Sequence, residues 1–306
     1  MRPKPPKILD LLNEVLEEED RVRSLKYSGS EMRHYPSSAS FKKASGAVSG
    51  ACLRQLYYRA TKLPETNPKE MTVKLQAGFG NAIHDWLASK LQKSDKIKVT
   101  SEAGGKVTAE GLKREISFRL DNLVSYKGEL GGVEVKTKQS FYVQRMVKEG
   151  GPKDADILQV LSYFATNEAI RWFSIVYFAR DTAYRAEYHI WKDEETNQFM
   201  IEGAFPESRA KPIDELNFPG VLARWKELEN NLDTGIVPKR DFKVVFTKEG
   251  EVTEKRTKHH VDYKTDFQCN YCNYQTHCWT QADAIKDAYQ IPGDFIIAPK
   301  GLKETK

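Results

Sequence analysis

Long apolar runs are missing from this 306-residue chain. The longest, residues 172–179, falls far short of the roughly 20 residues that a membrane-spanning helix needs. A secretory leader is missing too. Met1-Arg2-Pro3-Lys4-Pro5-Pro6 is basic, but it runs into the acidic stretch 14–20 without an apolar signal core. These absences predict an intracellular, cytoplasmic protein with no membrane partner. Nucleotide signatures are absent as well. No G-x-x-x-x-G-K-[ST] occurs, and after Gly78-Phe79-Gly80 it is Ile83 that stands where a dinucleotide fingerprint needs its third glycine. Neither a nucleotide-driven motor nor a doubly wound fold is expected. No internal repeat is present, and cysteine is scarce, with four in all. Charge of one sign is scarce in excess: the net charge of +5 and pI near 8.8 fit nucleic acid as a partner, but many unrelated proteins share such values.

With 40% hydrophobic and 30% charged residues, the chain reads as globular, with enough length for one large domain or two small ones. Ile8, Leu11, Leu12, Val15 and Leu16 predict an amphipathic helix over 7–25 with an acidic outer face. Residues 27–50, rich in Ser, Ala, Gly and Lys, read as a loop or connector. Helices are expected after Cys52, over 79–93 and over 154–167, with a β-hairpin over 115–138. A buried strand over 170–179 should pair with 184–191 through a turn at Asp181-Thr182. The segment onward to about 232 reads as mainly helical, interrupted at Pro219, and a basic, loop-rich stretch precedes the cysteines. The expected fold class is α/β, a mixed central sheet flanked by helices.

The most informative stretch holds Asp121, Glu134 and Lys136. Ile116, Phe118 and Leu120 share one strand face before Asp121, and Val133 and Val135 flank Glu134. The intervening polar, glycine-rich residues have their midpoint at Lys127-Gly128. A hairpin folded there sets Asp121 opposite Glu134, with cross-strand Cβ atoms roughly 4.5–5.5 Å apart. Lys136 projects from the same face as Glu134. Two carboxylates supply the hard oxygens that Mg²⁺ or Mn²⁺ prefers, and an ammonium can offset charge on a phosphate. The competing reading is a cross-strand ion pair worth under about 1 kcal/mol. His84 lies on or beside the apolar stripe Ile83, Leu87, Ala88 and Leu91, either as a core histidine or as a nitrogen ligand favouring Mn²⁺. Gln159 and Tyr163, spaced i and i+4, share a polar-edged helix face.

The cysteines form C-x₂-C-x₅-C at Cys269, Cys272 and Cys278, with Cys52 far upstream. Intracellular chains rarely keep structural disulfides, so four thiolates read as a metal site. Zn²⁺ and a [4Fe–4S] cluster both accept them. Zinc sites more often show two tight pairs, and Cys52 has no near partner, which favours iron–sulfur. Tyr271, Tyr274 and Trp279 are expected to shield the centre.

Taken in order, Cys52, Gly80-x₃-His84, Asp121, Glu134-Val135-Lys136, Gln159-x₃-Tyr163 and the three late cysteines resemble the iron–sulfur branch of the RecB-like nucleases, in the PD-(D/E)XK superfamily. That branch includes CRISPR-associated exonucleases, the nuclease domain of AddB and stand-alone phage versions. The resemblance implies a restriction-endonuclease-like core over about 46–290, and a [4Fe–4S] cluster joining the N- and C-terminal segments. It also implies metal-dependent cleavage of DNA, commonly as a single-strand exonuclease. His84, Asp121 and Glu134 would bind metal with the Val135 carbonyl, Lys136 would be the catalytic lysine, and Gln159 and Tyr163 would position the DNA and the active site. Residues 1–45 (helix and connector) and the tail 291–306 fall outside the pattern. Phe118 stands where the family often has a glycine. With no motor, the protein would act alone or with separate recombination or replication proteins, in a host cytoplasm if phage-encoded. Two other readings remain: a nucleic-acid-binding protein of the same fold that has lost cleavage, and a zinc-stapled structural protein.

Overall fold

The computed structural model describes residues 14–19, 21–22, 32–68, 71–242, 268–269, 271–279, 290–291 and 295–296. Residues 14–19 and 21–22 are helical, and the remainder of the expected 7–25 helix lies outside the described residues, as do the basic stretch before Gln268 and most of the tail. A short antiparallel hairpin, β1 (Ser40–Lys42) and β2 (Val48–Gly50), opens the main body. It replaces the loop expected over 27–50. Phe41 and Val48 are buried, so two apolar residues in a polar stretch were enough to seat it.

Helix α1 (Leu53–Ala60) follows Cys52 as anticipated. Helix α2 (Met71–Leu91) is about two turns longer than its expected start at 79, and Gly78-Phe79-Gly80 lies inside it. Gly80 has a packing reason to be there: a Cβ at this position would sit 3.0 Å from Thr137 Oγ1. Then come β3 (Ile97–Val107), β4 (Ile116–Tyr126), β5 (Glu129–Lys138), α3 (Ser140–Lys148), α4 (Asp154–Thr166), β6 (Ile170–Ala179), β7 (Arg185–Lys192) and β8 (Phe199–Phe205). A two-residue β9 (Lys211–Pro212), α5 (Phe218–Thr234) and a short α6 (Gln275–Trp279) follow. Strand β8 occupies chain expected to be helical. Pro219 starts α5 rather than interrupting it: Asn217 caps the helix by accepting from the Gly220 N–H at 2.8 Å, and proline in the first turn gives up no helix hydrogen bond.

Seven strands form one mixed sheet in the order β3-β4-β5-β6-β7-β8-β9. All neighbours are antiparallel except β5 and β6, whose parallel pairing requires the crossover made by α3 and α4. Buried residues of α3, α4 and α5 pack on one face, around Leu158, Leu161, Phe173 and Trp225. Ile83 and Leu87 of α2 pack on the other, over Val124, Val133 and Val135. The protein is thus a mixed α/β structure with its sheet flanked by helices.

The β4–β5 turn falls where the sequence places it. Lys127 and Gly128 have φ of 51° and 86°, the two left-handed residues of a type I′ turn. From there the ladder runs from Tyr126↔Glu129 to Asn122↔Val133 and stops. Beyond that point β5 continues paired with β6 alone, from Glu134↔Ile175 to Lys138↔Ala179, while β4 stays with β3. The strands fork at Asp121 and Glu134. Strict alternation also breaks there: Leu120 packs under α4, Leu123 does so too, and Val124 packs under α2.

Candidate metal centre and cysteine cavity

A fork leaves backbone groups without ladder partners, and Asp121 answers this. Its Oδ2 accepts the Val135 N–H at 2.8 Å, replacing the β4 carbonyl that a continued ladder would have supplied. Helix α2 brings His84 to the same carboxylate, Nδ1 lying 3.4 Å from Asp121 Oδ2. That contact raises the His84 pKa, against the lowering effect of burial and with help from the charges of Asp121 and Glu134.

Glu134 is buried and points towards α4. Its Oε1 accepts from Lys136 Nζ at 2.8 Å and from Gln159 Nε2 at 2.7 Å. Gln159 Oε1 in turn accepts from Lys136 Nζ at 2.7 Å, and Gln159 Nε2 also reaches Tyr163 Oη at 2.8 Å. Tyr163 donates to the Arg119 carbonyl at 2.9 Å, tying the network back to β4. Glu134, Lys136, Gln159 and Tyr163 are therefore one hydrogen-bonded unit, with Asp121 and His84 joined at the fork. Val135 enters through its amide N–H.

Desolvation pushes the Glu134 pKa up to about 7; the charge of Lys136 opposes the rise, and that of Asp121 adds to it. Burial alone would lower the Lys136 pKa, but Glu134, Asp156 and Asp121 outweigh it, so Lys136 is held as a cation. Glu134 Oε2 is buried with no hydrogen-bond partner. Such an oxygen costs roughly 1–3 kcal/mol if nothing meets it. An unpartnered hard oxygen, with the carboxylate of Asp121 and a half-buried imidazole at the same fork, fits a divalent cation. As placed, no group of three or more His, Cys, Asp or Glu side chains among the described residues forms a set that could hold a metal ion.

One participant escaped the sequence reading. Asp156 Oδ1 lies 3.8 Å from Lys136 Nζ, and its Oδ2 accepts from the buried Tyr177 hydroxyl at 2.8 Å. Asp156 stands three residues before Gln159 on α4, so the helical period was the available signal.

All four cysteines line one cavity, together with Arg54 and Arg240, and none is in a disulfide. Cys52 sits at the N-cap of α1 and Cys278 in α6, so the cavity joins the two ends of the described chain. Leu53, Tyr57, Tyr58, Leu228, Tyr274 and Trp279 close around it. Tyr271 does not; it is 63% exposed, contrary to the shielding role expected of it. Arg54 Nη1 approaches Cys278 Sγ at 3.9 Å, and Arg240 stacks over Trp279 at 4.8 Å. Burial lifts the Cys52 thiol to about 12, with the nearby Asp241 charge adding to the rise, and lifts Cys272 to about 11. Both shifts favour the protonated thiol, while two arginines beside the cysteines suit an anionic tetrathiolate centre.

No family model matches the chain, and no curated protein matches it. Among solved structures, the crystal structure of SSO0001 is similar with a TM-score of 0.48 and 16% identity, over 89% of this chain and 98% of that one. A likeness at that level defines neither family nor activity. No helix among the described residues is long and apolar enough to cross a membrane.

Proposed function

We propose that the protein is a Mg²⁺- or Mn²⁺-dependent deoxyribonuclease of the PD-(D/E)XK type, hydrolysing phosphodiester bonds in single-stranded DNA or at DNA ends, with a [4Fe–4S] cluster as its structural staple. The supporting observation is the strand fork, where Asp121 and the unpartnered Glu134 Oε2 accompany a lysine held protonated by a buried network. His84, Asp121 and Glu134 would hold the cation, which supplies Lewis-acid activation of water and neutralises charge on the phosphate. Lys136, a cation rather than a base, donates to Glu134 and Gln159 and is placed to offset the charge that builds on phosphate oxygens. Gln159 fixes the orientation of both Glu134 and Lys136, and Tyr163 anchors Gln159. Cys52, Cys269, Cys272 and Cys278 would hold the cluster, with Zn²⁺ as the alternative occupant. The cellular role would lie in recombination, repair, processing or degradation of DNA.

The test is digestion of end-labelled single- and double-stranded DNA by anaerobically purified protein with Mn²⁺. Lys136→Ala should reduce cleavage by roughly 10²–10³-fold or more, the scale of a lost electrostatic stabiliser. DNA affinity should be largely kept. Equal activity in chelator, or an unaffected variant, rejects the mechanism. Binding without cleavage by the wild type identifies a binding protein instead. The cluster is tested separately: the protein should be brown with about four irons per chain, as for a cubane. A colourless protein with one zinc refutes the iron–sulfur assignment alone.

A further inference from the structure

Two exposed aromatic side chains flank the end of β5 away from the turn. Phe79 of α2 is 63% exposed, and Phe141, in the first turn of α3, is 65% exposed. Beside Phe79 lies an open cleft of about 230 Å³, edged by Gln76, Phe79, Gln139, Arg180 and Asp181. That is below the roughly 300–1,000 Å³ of drug-sized sites and suits one planar ring. The cleft is a firm piece of the fold. Ser140 donates through N–H and Oγ to Asp181 at 2.8 and 2.7 Å, the Arg180 N–H is bonded to the Lys138 carbonyl at 2.8 Å, and the Arg180 guanidinium leans on Gln76 at 3.3 Å.

Its position relative to the fork matters. Gln139 follows Lys136 by three residues, about 10 Å along a strand. Cations gather on the way: Lys136, Lys153 and Arg180 each lie close enough to Lys138 to act on its charge. A further aromatic, Tyr142, meets Phe141 edge-on at 5.6 Å and carries Lys153 over its ring at 5.5 Å. Exposed rings interleaved with cations, and amides at the edge of a one-ring cleft, match the faces, phosphates and polar edges of an unstacked strand. A base still paired in a duplex has no free face to offer.

We propose that the cleft beside Phe79 seats one unpaired base of single-stranded DNA, with Arg180 and Lys138 meeting the adjoining phosphates, so that these residues select strands whose bases are already unpaired near the fork. The inference rests on the nuclease reading. It is tested by fluorescence anisotropy with a short labelled oligothymidylate, in chelator so that nothing is cleaved, on the intact anaerobically purified protein. Phe79→Ala should weaken binding about 5–100-fold, the range measured when one stacking aromatic is removed, and Phe79→Trp should restore it. An abasic position walked along the strand should weaken wild-type binding at one register only, and Phe79→Ala should be indifferent to it. Equal affinity of wild type and Phe79→Ala, or no register dependence in the wild type, overturns the cleft assignment while leaving cleavage to be measured independently. No binding of single strands by the wild type likewise overturns the cleft assignment, and the nuclease reading then stands or falls on the Mn²⁺ digestion assay.

Discussion

The strand fork draws Asp121, Glu134 and Lys136 from a single hairpin, whereas the cysteine cavity draws Cys52 from the start of α1 and its three companions from the far end of the described chain. In the fork, the hairpin brings Glu134 and Lys136 together, and hydrogen bonds join them to Gln159 and Tyr163 of α4. In the cavity, the long separation carries a loop-closure cost that the small apolar cluster around Tyr58 and Trp279 must offset, and burial favours the protonated thiols of Cys52 and Cys272. The cation proposed at the fork would therefore meet side chains that are already bonded to one another. The metal proposed in the cavity would instead complete its own site.

Two substitutions sharpen that contrast. The larger effect belongs to the cavity. Cys52→Ser should destabilise the purified protein by several kcal/mol, read as the midpoint of chemical denaturation, because losing a ligand loses folding energy along with metal. Stability equal to wild type would show that the cavity holds nothing structural. The smaller effect belongs to the fork and has the opposite sign. Folding raises the Glu134 pKa from 4.5 to about 7, so the folded protein binds more protons than the unfolded chain between those values. Stability then falls as pH rises from about 4.5 to 7, and the penalty is complete above that. In chelator at pH 8, Glu134→Gln should be more stable than wild type, by up to about 3 kcal/mol from a shift of roughly 2.5 units. The gain should vanish below about pH 4.5. A variant that is destabilised at pH 8 would mean that Glu134 earns its place structurally.

Much of the fork was legible in the sequence, because each step in its construction is local. Lys127-Gly128 names the turn and the turn fixes the register as far as Asn122↔Val133, one step short of the expected Asp121–Glu134 pair, where the strands part instead. The i, i+4 spacing of Gln159 and Tyr163 was equally readable. The divergence of β4 from β5 was not, since it depends on β5 finding β6 and β4 finding β3, which are pairings between distant segments. Asp156 was missed for a related reason: its partners Lys136 and Tyr177 lie on two strands of the sheet. Gly78 and Gly80 look like a helix start by composition, and only the approach of α2 to Thr137 explains a glycine in mid-helix. The β1–β2 hairpin was hidden because its strands are three residues each and its burial comes from helices far along the chain.

Manganese binding tests the central claim most directly. Titrating anaerobic protein with Mn²⁺ under electron paramagnetic resonance should show binding in the wild type that weakens about tenfold per pH unit below pH 7, as protons compete for Glu134. Asp121→Asn and Glu134→Gln should each abolish it. Unchanged Mn²⁺ affinity in either variant would contradict a shared cation at the fork.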